Sequence, residues 1–237
     1  MNCLLIEPQE VEPDSDRVRI TGRRRRHAEE ILRATSGDIL RVGIIGGRLG
    51  TARILGLDEE ALDLEVQLER DPPPKRPLEL VLALPRPPVF RRLVSTIASL
   101  GVERLLVVGT SRTEKSFWQS HVIEPERIRE RLLLGLEQAG DTMLPTVEFH
   151  RYFEPLLEDL LPQCLVGRRG LLAHPGATQP CPHAVGEPVT VFVGPEGGLV
   201  DYEVERLSEI GFEAVGLGLR VLRVEPVIPL LVGRLCD

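Results

Sequence analysis

Three segments of this chain bring together residue types that bind or react. In the first, the strand-like run Val191-Phe192-Val193 enters Gly194-Pro195-Glu196-Gly197-Gly198 and continues into Asp201-Tyr202-Glu203, an acidic helix start. Glycines let a backbone approach a ligand closely and leave its N–H groups free to donate. A phosphate loop would need a following Lys-Ser/Thr, which is absent, and Glu196 would repel a polyanion. The segment suits a ligand with positive charge or with donors to satisfy; a plain tight turn is the alternative. In the second, Leu217-Gly218-Leu219-Arg220-Val221-Leu222-Arg223-Val224-Glu225-Pro226 sets two arginines and a glutamate among apolar residues. It reads either as a binding loop or as a solvated ion pair. The third, Leu171-Leu172-Ala173-His174-Pro175-Gly176, ends a strand in a turn, and His174 taken alone reads as structural rather than as a general base. A separate feature is the consecutive run Arg23 to Arg26, the densest positive charge in the chain. Arginine suits bidentate contact with phosphate. A solvated basic turn is the other reading.

The elements that must position these segments follow from pattern. In Asp71-Pro72-Pro73-Pro74-Lys75-Arg76-Pro77, four prolines can continue neither a helix nor a central strand, which predicts a stiff linker over 72–77. Domains are expected over 1–71 and 78–237. Before the linker, alternating runs at 38–45, 51–57 and 62–68 predict strands, with a short helix at 27–33, together a small barrel. After it, strands at 78–84, 104–108, 146–149, 170–173, 189–193 and 214–217 alternate with helices at 89–100, 125–139, 154–161 and 201–210. That alternation predicts a mainly parallel sheet covered on both faces, with ligands beyond the carboxyl ends of its strands.

Composition narrows the function classes. The chain has 237 residues, 42% hydrophobic and 27% charged, which argues against disorder and against a disulfide-stapled miniprotein. No apolar run approaches the ~18 residues that span a bilayer. The start, Met1 to Glu7, has no basic head and reads as no secretory signal, so a cytoplasmic protein is expected. A net charge of −7 discourages sequence-independent nucleic-acid binding. The basic residues, however, are almost all arginine, with only Lys75 and Lys115 as lysines. The four cysteines are scattered, and Cys181-Pro182-His183 is too sparse for a zinc site, so reduced thiols and no metal are expected.

Order and spacing together are more specific than any one loop. Gly194-Pro195-Glu196-Gly197-Gly198 paired with Leu217-Gly218-x-Arg220-x-Leu222-Arg223-x-Glu225 resembles the bacterial small-subunit ribosomal RNA uridine N3-methyltransferases, the RsmE family. Arg26-His27 with Ile31-Leu32-Arg33, Ser36-Gly37-Asp38, Leu100-Gly101-Val102 and Glu137-Gln138 extend the resemblance over the whole chain. It implies an α/β fold: a trefoil-knotted SPOUT-type methyltransferase domain, homodimeric, behind a small PUA-like RNA-binding β-barrel. It further implies S-adenosylmethionine as cofactor, held by Leu172, Ala173, His174, Gly194, Pro195, Glu196, Gly197, Gly198, Leu217, Gly218 and Leu222. Arg23, Arg24, Arg25, Arg26, His27 and Arg112, with Arg91 and Arg92, would contact ribosomal RNA or the small subunit.

The chemistry implied is loss of the uracil N3 proton and stabilisation of the resulting negative charge by a fixed guanidinium. Arg223 is expected in that role, then Arg220, with Glu225 or Glu196 orienting the arginine or accepting a proton. The family pattern is broken at Thr96, Ser99, Asp141 or Thr142, Val224 and Pro226, where it carries charged or hydroxyl residues. Those departures admit a second reading, a non-catalytic RNA-binding or ribosome-assembly protein with a degenerate pocket.

Overall fold

The computed structural model describes residues 3–12 and 15–236; Met1 and Asn2 of the N-terminal run lie outside the described residues. The chain forms two compact units, Met1–Pro74 with Leu133–Leu144, and Lys75–Leu132 with Pro145–Asp237. The change of unit thus falls inside the proline-rich segment. Residues 133–144, which a linear reading leaves in the second domain, belong to the first. Local bonds explain this: Cys3 N–H donates to Glu137 O, Gly46 N–H to Thr142 O, and Thr142 Oγ1 to Gly47 O at 2.5 Å.

The first unit is a five-stranded sheet of β1 (Leu4–Ile6), β2 (Arg17–Ile20), β3 (Ile39–Ile44), β4 (Leu49–Leu57) and β5 (Leu62–Arg70), in the order β1-β3-β4-β5-β2. β1 joins parallel to β3 and the other pairs are antiparallel. The ladder ends at β1 and β2 rather than closing through them, so the expected barrel is a curled half-barrel. Its inward residues, among them Ile6, Val18, Val42, Ile54 and Leu64, form one core with Ala28 of helix α1 (Gly22–Glu30). The four arginines therefore lie in a helix, not in the turn before one. Arginine is a good helix former, and the acids around it relieve the crowding of charge.

The second unit is a six-stranded, wholly parallel sheet: β6 (Arg76–Ala83), β7 (Val102–Val108), β8 (Thr146–His150), β9 (Arg169–Ala173), β10 (Val189–Val193) and β11 (Phe212–Val215), ordered β11-β9-β10-β6-β7-β8. The strand expected at 214–217 sits two residues earlier, which frees Leu217 for the following loop. Phe192 of β10 is fully buried and meets Phe153 and Phe212 edge-on, at centroid distances of 6.3 and 6.2 Å. The remaining helices are α2 (Pro87–Ser99), α3 (Pro125–Ala139), whose residues from Leu133 count with the first unit, α4 (Phe153–Pro155), α5 (Leu161–Cys164), α6 (Asp201–Glu209) and α7 (Val224–Leu235). A π-turn over Leu156–Leu160 joins α4 to α5. Along the chain after β11, the loop between β9 and β10 fastens both ends: Gln179 and Cys181 exchange backbone bonds with Gly216, and Ala184 and Val185 donate to Arg234 and Leu235.

Cys3, Cys164 and Cys181 are buried free thiols, and Cys236 is half-buried. Burial pushes the Cys3 thiol up to about 11 and raises Cys164 and Cys181 as well. Since the thiolate is the reactive form, an alkylating reagent at pH 8 should label the native protein at Cys236 alone. The other three should react only after denaturation; mass mapping that finds Cys164 or Cys181 labelled early would refute the packing described.

Candidate active site

Ala173, Val193 and Val215 end β9, β10 and β11 and stand side by side in the sheet, so the chain leaving each strand enters one space. That space is a pocket of about 460 Å³. Val193, Leu199, Val215 and Val227 give it apolar walls, and Arg112, Arg220 and Arg223 stand at its margin. The glycine loop is closed by Gly198 N–H donating to Pro195 O at 2.8 Å, with Gly198 at φ +73°, where a side chain would be strained. Gly218 has φ +116° for the same reason. Among the described residues, no backbone N–H from Leu217 to Arg223 donates to a backbone carbonyl. A run of free amides beside apolar walls suits a ligand with an aromatic ring system and acceptors on its edge.

Most of the residues expected at the cofactor line this pocket: Ala173, His174, Gly194 through Gly198, Leu217, Gly218 and Leu222. Leu172 does not. Successive strand residues face opposite ways, and Leu172 points into the core that holds Phe192. His174 is occupied locally, its Nδ1 accepting from Gly176 N–H at 3.2 Å. Val193, Val215, Val221, Val224 and Val227 also line the pocket and were not read from the sequence, because an apolar residue at a strand end carries no signal apart from its neighbours.

The charged residues divide sharply. Arg220 and Arg223 are exposed and hydrogen-bond to no protein group among the described residues. Arg112, expected at RNA phosphate, instead lies over the glycine loop and donates through Nη1 to Gly197 O at 2.6 Å. Glu225 is not in the pocket lining; it takes a 2.5 Å ion pair from Arg92 of α2, which holds its carboxyl below the usual range. Glu196 accepts the Arg86 N–H at 3.1 Å, at the start of α2, where a negative charge favours the helix dipole. Neither acid hydrogen-bonds to Arg220 or Arg223, although the nearby Arg223 charge adds, after Arg92, to holding the Glu225 carboxyl down. Two of the departures from the family pattern, Thr96 and Ser99, return their hydroxyls to carbonyls of α2, and Asp141 accepts from Met143 N–H. None of the three lines the pocket.

The arginine run of α1 is mostly satisfied within its own unit. Arg23 pairs with the buried Glu137 at 3.0 Å, Arg24 with Glu10, and Arg25, only 6% exposed, with Asp58 O and Glu29. His27 has its Nε2 buried without a partner among the described residues. Arg26 alone of the four is exposed and unpaired among the described residues. No group of three or more His, Cys, Asp or Glu among the described residues could hold a metal ion, and no described helix is long and apolar enough to cross a membrane.

A family model described as RNA methyltransferase domain matches residues 72–234. Ribosomal RNA small subunit methyltransferase E of Treponema pallidum is 31% identical over 234 residues, covering 95% of this chain and 86% of the relative. A crystal structure of the corresponding protein from Neisseria gonorrhoeae, bound to S-adenosyl methionine, superposes with a TM-score of 0.73 at 22% identity, covering 97% of this chain and 95% of that one. A putative methyltransferase from Legionella pneumophila gives the same TM-score at 20% identity, over 98% and 94% of the two chains. The fold is accordingly of the SPOUT type. With the model spanning most of its length and a curated relative matching nearly all of it, the chain belongs to the RsmE family of RNA methyltransferases.

Proposed function

We propose that this enzyme methylates N3 of a uridine in small-subunit ribosomal RNA, using S-adenosylmethionine. The observation that carries the reading is the pocket itself: three separated loops converge there, with free backbone amides and two unpaired arginines at its edge. The lining fits the cofactor, since apolar walls accommodate adenine and the amides of 217–223 can reach its edge and ribose. When bound, the cofactor supplies a methyl group on a sulfonium. The chain's own part is to orient the uracil and to hold the charge left at N3 when its proton departs, through Arg223 and secondarily Arg220. Glu225 acts as a positioning residue, tying the first turn of α7 to Arg92. Of the departures from the family pattern, Thr96, Ser99 and Asp141 stand away from the pocket, and Val224, which lines it, adds an apolar wall without closing the space. The same reading includes a homodimer, which would cover the exposed Leu219 and Val221 beside the pocket, and a cytoplasmic site of action.

Calorimetric titration with S-adenosylmethionine should show saturable binding that Gly218→Val abolishes, because valine cannot adopt φ +116° without strain. Methylated ribosomal RNA should then stop primer extension, since N3 lies on the pairing edge of uracil. Absence of binding, or methylation without a stop, would reject the reading.

The first unit is proposed to bind RNA through the open face of α1. Arg26→Ala should lower the slope of log affinity against log salt by about 0.7–0.9. Arg25→Ala should instead destabilise the unit by about 1–3 kcal/mol, because it removes a buried side chain together with its bonds to Asp58 O and Glu29. An unchanged slope for Arg26→Ala would remove that contact.

A further inference from the structure

The chain has one tryptophan and two tyrosines in 237 residues. All three, Trp118, Tyr152 and Tyr202, line a single groove of about 710 Å³. They arrive from the loop after β7, the end of β8 and the first turn of α6. Tyr152 is 67% exposed and Tyr202 54% exposed. Exposed aromatic rings gathered on one surface mark a binding face. The groove lies at the carboxyl ends of β7 and β8, the other half of the sheet edge that carries the methyl-transfer pocket.

Its charge is positive where it meets solvent. Lys115, one of only two lysines, and Arg151 line it, and neither pairs with a protein group among the described residues. Of its two acids, Glu203 is bound internally and Glu154 leans toward Arg206. Glu203 is 1% exposed and accepts from Ser111 N–H at 2.7 Å and Val200 N–H at 3.0 Å; Glu154 lies 3.8 Å from Arg206. The arrangement is built by the backbone. A Cβ on Gly109 would collide with Arg151 O and sit 3.2 Å from Trp118 Nε1, so only glycine lets the chain leaving β7 lie this close to both the chain leaving β8 and the indole. Glu203 also fixes the loop that separates the two sites, with Ser111 on the groove and Arg112 on the methyl-transfer pocket.

Flat π faces interleaved with unpaired cations are the surface that stacks bases and pairs phosphates of a single strand. We infer that this groove holds unpaired RNA nucleotides flanking the target uridine. The inference rests on the proposed RNA substrate. Bases in a duplex are already stacked and cannot lie on these rings.

Trp118, as the sole tryptophan, makes the test direct. A single-stranded oligouridylate of about eight nucleotides should quench its emission saturably in the full-length protein, with affinity falling as salt rises. Tyr152→Ala and Tyr202→Ala should each weaken binding at least about fivefold, while Tyr152→Phe retains it. A duplex of equal length should not quench. Quenching absent, duplex binding as tight as single strand, or folded alanine variants binding like the parent would overturn the inference. S-adenosylmethionine titration separates the two ideas. Failed cofactor binding with intact quenching rejects methyl transfer alone, and intact cofactor binding with unaffected tyrosine variants rejects the groove alone.

Discussion

Replacing Arg223 by alanine should slow methyl transfer by about 10²–10³-fold while leaving S-adenosylmethionine affinity within about twofold, the pattern of a lost transition-state donor. Arg223 is the residue before α7, with extended backbone at φ −70° and ψ 158°, so a helix end fixes its Cα while its guanidinium stays free. Free is the operative condition. A guanidinium already held by protein acceptors, as Arg25 is by Asp58 O and Glu29, would offer little to a developing anion. Arg223→Lys should restore only part of the loss, because lysine keeps the charge without the planar fork. A second readout separates charge stabilisation from mere structure. The alanine variant should gain relative activity as pH rises, since hydroxide then removes the N3 proton that the missing cation no longer favours losing. Turnover within about twofold of the parent, well short of a one-donor loss, or an unchanged pH profile, would take Arg223 out of the chemistry. Arg220→Ala should fall in the same direction by less, because Arg220 lies farther from the helix that orders the loop.

Which parts of this site could be read in advance depends on whether the signal was local. β10, Val189–Val193, is apolar except for Thr190 and runs straight into Gly194, and such a strand-to-loop junction is visible in a single line of sequence. β1 and β2, of three and four residues, are too short to show an alternation, and they exist because β3 and β5 offer them edges. The partners of the charged residues were hidden for a related reason. Residue type named Glu225 and Glu196 as candidate bases, but their partners, Arg92 and the Arg86 N–H, lie more than a hundred positions earlier on α2. Arg23 to Arg25 looked like a free basic patch because Glu137 and Glu10 cannot be placed beside them without the fold. The aromatic groove shows the limit most plainly: Trp118, Tyr152 and Tyr202 share no spacing, and only the adjacency of β7 and β8 under α6 brings them together.

The largest effect on stability is expected from Phe192→Ala, at about 3–5 kcal/mol. Phe192 is fully buried at the centre of the second unit and makes edge-on contacts with Phe153 and Phe212, each worth about 0.5–1.5 kcal/mol beyond its area. Truncation removes both and leaves a void that the parallel sheet on one side and the π-turn segment on the other cannot collapse to fill. Phe192→Leu should cost less, since the leucine side chain still fills part of the site, although it loses the ring contacts. Val166, 80% exposed, serves as the control, and Val166→Ala should stay within about 0.5 kcal/mol of the parent. Two units need not unfold together, so a global probe would blur the result. Trp118 belongs to the second unit, and its emission reports that unit alone. Urea titrations followed by tryptophan emission should therefore show the midpoint of Phe192→Ala displaced far more than that of Val166→Ala, and equal displacement would refute the core described. Because Phe192 is followed directly by Val193 and Gly194 of the pocket, the same variant should also bind S-adenosylmethionine more weakly under conditions where it remains folded. A core residue that changes ligand affinity without touching the ligand is the expected behaviour of a site whose glycine loop, though closed on itself by Gly198 and Pro195, is aimed by the strand that feeds it.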